Sequence, residues 1–551
     1  MYRASLARLS RSVLAFECWG LNQKTFVHHV CSSNVTPLSG FSRVLANRSF
    51  SKTSSREDNS VVNQSSKPSG RLEEVALSEV IFAMRNLPGL FEVYENFKDS
   101  CPMVQRNRVA ILYCVTNIVQ KFQAQKDILT SDGSLDGKRG LFLELLGEIT
   151  NHISDSSDRD LALILWSTGK VGVDQGMIHD LALACEREIL YRDVTSFDIA
   201  ALNQVLTGLA FCNMKDSMLL SKIEKAILSG EIKLSDFSNL ELVGSLMTFS
   251  KSRNVTSELF ECYREAIYLR NMSSFEDYEL SQLIFAFARK GVEAEKLFSF
   301  TKQEILQRGV TSFLCKNQFL IPWAFANSKS NRRYHKIFRL IDEEFVLHGV
   351  QGCASDFLSN LVWCFTKVGL YDSRVYDLVK DEVLVRGLNS FFGCTVHLLW
   401  SYARAKGSSY PDLSDKVASW FLSSDFKAVG NKDLCLYTWC FQKLGIRSET
   451  VYQAVEMELL QRRVSNLNFS QLNQLLSGFA FAKTGSREFL DYLEKAVLKL
   501  DFSALKTFQI VSLIRLFAEM DFRTSHLFDV AEKELIQRGK SQVALKEIKK
   551  Q

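Results

Sequence analysis

The chain has 551 residues, six prolines and a formal net charge of +5. Residues 1–50 hold six basic side chains against the single acid Glu17, so they account for that whole excess. The remainder is close to neutral, which excludes a globally basic nucleic-acid binder and requires any such surface to be local.

Residues 1–50 are Ser-rich and acid-poor, with Arg3, Arg8, Arg11, Lys24, Arg43 and Arg48 spread through them and no apolar run long enough for a membrane span. That composition predicts a mitochondrial transit peptide, with a plastid address the weaker match, and not a secretory signal. Arg48-Ser49-Phe50-Ser51 resembles a mitochondrial processing site, with cleavage after Phe50. Residues 51–70 read as a flexible linker. Residues 71–155 contain the apolar segments Val75 to Met84 and Val109 to Phe122, and read as an N-terminal helical cap of degenerate repeats.

From 156 to 540 a twelve-residue phrase recurs ten times. It reads Leu-Ser-Asn-Leu-Val-Trp-Cys-Phe-Thr-Lys-Val-Gly from Leu358 to Gly369, with close copies at Leu161, Leu280 and Leu434 and looser ones at Leu202, Leu242, Gln318, Thr395, Leu472 and Ile510. The sixth residues of successive copies stand 37 to 41 apart. A period near 38 held over ten copies predicts an all-α chain: an α-solenoid of helix pairs in which each unit buries its apolar face only against its neighbours. The scarcity of proline suits long helical stretches. Pro322 interrupts the fifth copy and predicts a kink or a late helix start. Residues 541–551 read as a basic tail.

A second phrase ends each unit, as in Glu382-Val-Leu-Val-Arg386-Gly387 and Glu458-Leu-Leu-Gln-Arg462. Glu188 with Arg192, Glu344 with His348, and Glu534 with Arg538 keep the spacing. A Glu four residues before an Arg is a favourable surface pair, worth about 0.2–0.5 kcal/mol. The Arg also complements the helix dipole and the Gly is a C-cap residue, so these pairs are read as structural.

On a helical wheel, positions 1, 4, 5 and 8 of the first phrase form one apolar stripe, and position 7 is mostly small, as close helix approach requires. Positions 3, 6 and 10 cluster opposite. Position 10 carries Lys170, Lys251, Arg289, Lys367, Arg404 and Lys443, which stacking would turn into a cationic column able to follow a phosphate backbone. Position 3 carries Gln204, Gln282, Asn360, His397 and Gln474, side chains able to meet base edges. Helical repeats read single-stranded RNA in this manner, a few side chains per base. The alternative for the basic column is a set of solvated helix ends favoured by the dipole. Position 6 holds Trp166, Trp323, Trp363, Trp400 and Trp439; the simplest reading wedges each between neighbouring helices, and the other stacks it on a base. Lys329, Arg332, Arg333, His335 and Lys336 form a further basic cluster in the turn of the fifth unit.

No G-x-x-x-x-G-K-S/T, G-x-G-x-x-G, G-x-S-x-G or H-E-x-x-H occurs, the histidines are dispersed, and the thirteen cysteines lack zinc or disulfide spacing. The expectation is therefore a protein without catalytic residues, bound metal, cofactor, small-molecule substrate or membrane span.

The first phrase, with Trp363, Lys367 and Gly369, resembles the octotricopeptide repeat. It is also similar to the helical repeats of FAST-kinase-like and RAP-type organellar proteins and of the kinetoplastid RNA-editing substrate-binding complexes. The resemblance spans roughly residues 156–540 and implies binding of single-stranded organellar RNA in processing, stability, translation or ribosome assembly. No convincing RAP domain follows the last repeat, so a nuclease-like role is not implied. The rival expectation is a protein-binding scaffold, such as a subunit of a mitochondrial ribosome or another large assembly, which the near-neutral charge after residue 50 favours.

Overall fold

A computed structural model describes residues 68–538, apart from 101–102, 123–128, 130–136, 173–174, 318, 406, 425–428, 465 and 523–524. The expected leader, processing site and basic tail and most of the expected linker lie outside the described residues; residues 68–70 of that linker are helical instead, since they begin the first helix. Among the described residues the chain is all-helical, with no strand. It divides into two compact units. The first holds the described residues up to Gln307 together with Asn327–Lys329, and the second holds Arg308–Ala326 and Ser330 onward.

In the first unit, α1 (Pro68–Ala83), α2 (Leu87–Phe97), α3 (Gln105–Lys121) and α4 (Lys138–Asn151) precede four pairs. These are α5 (Asp158–Val171) with α6 (Gln175–Tyr191), α7 (Ile199–Phe211) with α8 (Met218–Leu228), α9 (Asn239–Lys251) with α10 (Ser257–Tyr268), and α11 (Asp277–Lys290) with α12 (Glu295–Arg308). Helices α1, α3, α5, α7, α9 and α11 pack each on the next, and α2, α4, α6, α8 and α10 form a second layer in the same way. The helices before Asp158 thus continue both layers.

The second unit adds an unannounced helix, α13 (Val310–Asn317), before its six pairs. The pairs are α14 (Leu320–Asn327) with α15 (His335–His348), α16 (Ser355–Val368) with α17 (Val375–Arg386), α18 (Thr395–Ala405) with α19 (Pro411–Ser423), α20 (Asn431–Leu444) with α21 (Glu449–Arg462), α22 (Phe469–Ala482) with α23 (Arg487–Leu498), and α24 (Thr507–Glu519) with α25 (Ser525–Gln537). From α16 onward the first helices stack on one another, and from α15 to α23 the second helices do. The copy interrupted by Pro322 is the short one: α14 begins only at Leu320, with Pro322 in its first turn, where a missing N–H is tolerated.

The recurring phrase is a first helix with its stop signal. Leu358, Leu361, Val362 and Phe365 are all fully buried, as the wheel requires. Position 12 is left-handed in copy after copy: Gly172, Gly291, Gly369 and Gly445, but also Asn213, Lys483 and Asp521. The recurring glycine is therefore the cheap solution to a C-terminal αL turn, with Asn, Lys and Asp accepting the strain elsewhere. Position 7 is small because backbones nearly touch there. A Cβ on Gly208 would lie 2.7 Å from the Leu165 carbonyl carbon, and one on Gly478 would lie 2.8 Å from the Thr438 carbonyl oxygen.

The Glu–Arg phrase does more than pair along a helix surface. Arg386 donates to Glu382 at 2.5 Å and also to the carbonyls of Cys353 and Gln351, both at 2.7 Å. Arg192, Arg462 and Arg538 likewise bond their Glu and a carbonyl in the loop before the first helix of their own pair. Arg270 makes the loop bonds without a partner Glu at that spacing, to the carbonyls of Leu234 and Phe237. In these five pairs the arginine ties the end of the second helix to the loop before the first. A second device joins successive pairs: a buried carboxylate of one second helix receives the N-terminus of the next. Glu224 accepts from Thr256 at 2.6 and 2.8 Å, Asp342 from Ser373 and Val375, and Glu456 from Ser486.

Candidate nucleic-acid interface

Positions 3, 6 and 10 share a helix face that the stacking covers only in part, Phe285 at position 6 being buried. Lys170, Lys251, Arg289, Lys367, Arg404 and Lys443 all lie in the last turn of their first helices. The first three belong to the first unit and the other three to the second. Arg289, Lys367, Arg404 and Lys443 are exposed, and Lys170 and Lys251 half-buried. Among the described residues, Lys170, Arg289, Arg404 and Lys443 make no ion pair. The tenth copy departs: Glu519 stands at position 10 and pairs with Arg515 at 3.1 Å.

Desolvation lowers the pKa of Lys170, Arg289 and Lys367 below the ordinary values. Arg289 and Lys367 nevertheless reach solvent. Lys367 lines a recess, where its attraction for an anion is less screened. His397 shows the same combination. It is exposed, yet burial by surrounding protein lowers its pKa, so its imidazole is neutral at pH 7 and offers hydrogen bonds without charge.

The tryptophans at position 6 are not fully buried. Trp166, Trp323, Trp363, Trp400 and Trp439 are all half-buried, whereas the buried indole is Trp420 on a second helix. Trp166 meets Tyr113 of the preceding layer helix at 5.9 Å. Trp323 likewise meets Phe319 at 6.2 Å, so neighbours cover part of these rings and the rest reaches solvent.

Position 6 and position 10 also meet. Lys367 Nζ lies 4.7 Å from the Trp363 ring centroid, and the Arg404 guanidinium 5.7 Å from that of Trp400. Where position 10 is Phe, a cation from the preceding pair covers it: Lys170 over Phe211 at 4.2 Å and Arg447 over Phe481 at 4.6 Å. Arg447 was missed in the sequence because it lies in the turn two residues past Gly445; the signal was a basic turn residue ahead of an aromatic position 10.

Among the proposed base-contacting residues, Gln204, Gln282 and Gln474 make no side-chain hydrogen bond among the described residues. Asn360 donates to the Asp356 carbonyl at 2.8 Å, which leaves its amide oxygen available. The turn cluster disperses. Lys329 pairs with Glu293 at 3.3 Å, and a His335 ring nitrogen lies 2.9 Å from the Val368 carbonyl. Arg332 instead joins Lys367, Arg404, Trp400 and Tyr371 around one recess of about 370 Å³.

No helix among the described residues is long and apolar enough to cross a membrane. The chain matches no protein-family model. It is similar to the mouse FAST kinase domain-containing protein 1, mitochondrial, at 26% identity over 173 residues. That stretch covers 31% of this chain and 20% of the mouse protein, so the likeness spans about a fifth of the relative's length.

Proposed function

We propose that this chain is a non-catalytic protein of the mitochondrial matrix that binds single-stranded RNA along the last turns of its first helices and acts in the processing, stability or translation of organellar transcripts. What carries the reading is the meeting of Lys367, Arg404 and Arg332 with a half-open indole around one recess that no acidic side chain lines. Cations beside aromatic faces are what a sequence-tolerant single-strand site needs, because phosphates meet the charge and bases stack on the rings. The octotricopeptide resemblance supports RNA as the ligand. The leader composition and the mouse relative's mitochondrial designation support the compartment.

The test is the salt dependence of binding to single-stranded RNA. Six phosphate contacts give a slope of log K against log salt near −4, at about −0.7 per contact. A second reading, a scaffold within a ribosome or another large assembly, is favoured by the near-neutral charge after residue 50. It predicts no RNA affinity of the isolated chain at low salt. A reporter fused to residues 1–60 tests the address, and one that stays in the cytosol counts against it.

A further inference from the structure

Three cationic side chains converge on the recess of the second unit. Lys367 and Arg404 come from the last turns of α16 and α18, and Arg332 comes from the turn after α14, one pair earlier and outside the position-10 column. Arg332 and Arg404 make no ion pair among the described residues. Trp400 lines the recess with a half-buried ring, and Tyr371, 39% exposed, lies at its edge. The volume of about 370 Å³ falls within the ~300–1,000 Å³ typical of small-ligand sites.

An internal phosphodiester carries a single negative charge, which one cation balances. Three cations around one recess exceed it. A terminal phosphomonoester carries about −1.5 to −2 at neutral pH and presents three strong acceptor oxygens. Arginine forks are suited to such a group. The adjoining indole supplies the face on which a base stacks.

We propose that this recess is an end-recognition subsite: the terminal phosphate of a single strand lies among Arg332, Lys367 and Arg404, with the terminal base against Trp400. This deepens the RNA reading and rests on it. A free nucleoside monophosphate presents the same chemistry, so both sources enter the test.

The full chain is titrated with three oligoribonucleotides of one sequence, bearing a 5′-phosphate, a 3′-phosphate or neither, and with adenosine monophosphate. The subsite predicts that one phosphorylated strand binds about tenfold tighter than the unphosphorylated one. Arg332→Gln should narrow that gap to less than twofold, with the thermal midpoint unchanged because Arg332 is exposed and packs no core. Equal affinities for the three strands, or a preference that survives Arg332→Gln, overturn the subsite while leaving the RNA reading intact. Monophosphate binding that depends on Arg332, with no binding of any strand, keeps the recess as a mononucleotide site and removes the RNA reading. Failure of every ligand removes both.

Discussion

Arg386 reaches back 33 residues to donate to the carbonyl of Cys353 at 2.7 Å while holding Glu382, four residues away, at 2.5 Å. One guanidinium thereby ties the end of a second helix to the entry of the first helix of the same pair. Both ionic partners are largely shielded, at 21% and 11% side-chain exposure, so solvent screens the contact less than a surface pair.

Arg386→Gln should therefore cost more than the few tenths of a kcal/mol of an exposed i,i+4 pair. Hydrogen bonds to charged groups contribute about 1.5–3 kcal/mol, and the loop carbonyls lose their donor. Chemical denaturation should show a loss of about 2 kcal/mol, with a similar loss for Arg462→Gln at the equivalent position. A cost within 0.5 kcal/mol would return the phrase to a surface pairing.

Gly478→Ala tests the close approach of α20 and α22. The added methyl meets the Thr438 carbonyl oxygen at 2.8 Å and its Cβ at 2.9 Å, and backbone cannot step aside as a flexible side chain can. Overpacking of this kind costs about 1–3 kcal/mol, against a helix-propensity gain of up to ~1 kcal/mol. The net expectation is lower stability in a urea titration. Gly140→Ala in α4, where a Cβ meets nothing within 4 Å, should instead be neutral or stabilising.

Trp363→Ala and Trp400→Ala should separate stability from binding. Both rings are half-buried, so each loss of stability should fall below the ~3–5 kcal/mol of a core tryptophan. Removal of a stacking platform weakens single-strand binding by about 1–3 kcal/mol per base. Trp420→Ala is the contrast: its ring is 7% exposed, packs on Phe421 and Tyr437, and donates from its indole nitrogen to Asn389 at 3.0 Å. It should unfold the second unit readily. RNA affinity unchanged in both position-6 variants would remove base stacking from the site.

Changing Lys367, Arg404 and Lys443 together to Gln should flatten the salt slope by about 2 and weaken all sequences alike. Gln282→Ala or Asn360→Ala should instead alter which sequence is preferred, because amides meet base edges and carry no charge. A triple variant that binds RNA like the parent at every salt concentration would leave these side chains as solvated helix ends.

The cysteines give an independent check on packing. Burial pushes the thiols of Cys114, Cys353 and Cys435 up to about 12, so at pH 8 they are protonated and poor nucleophiles. Alkylation at that pH should be slow in the native protein and rapid in denaturant. Fast labelling of any of the three in the folded state would contradict the packing around it.

The sequence by itself determined the repeat and its wheel. A 38-residue period, a stripe at positions 1, 4, 5 and 8 and a glycine at position 12 are local or nearest-neighbour requirements, and each recurs often enough to be read without a partner in view. Leu358, Leu361, Val362 and Phe365 are buried for that reason. It also determined which side chains share the last turn, because 3.6 residues per turn fixes their common face. What only the tertiary structure decided lies between repeats. The division into two units, the extra helix Val310–Asn317, the reach of Arg386 to Cys353 and the capture of Thr256 by Glu224 depend on contacts some 30 or more residues apart that no periodicity encodes. The half-open tryptophans belong to the same class, since a ring at the margin of the apolar stripe is covered or left bare by its neighbours in the stack. So does the recess: Arg332 joins Lys367 and Arg404 from a different pair, and only the packing of one pair on the next brings the three cations to one place.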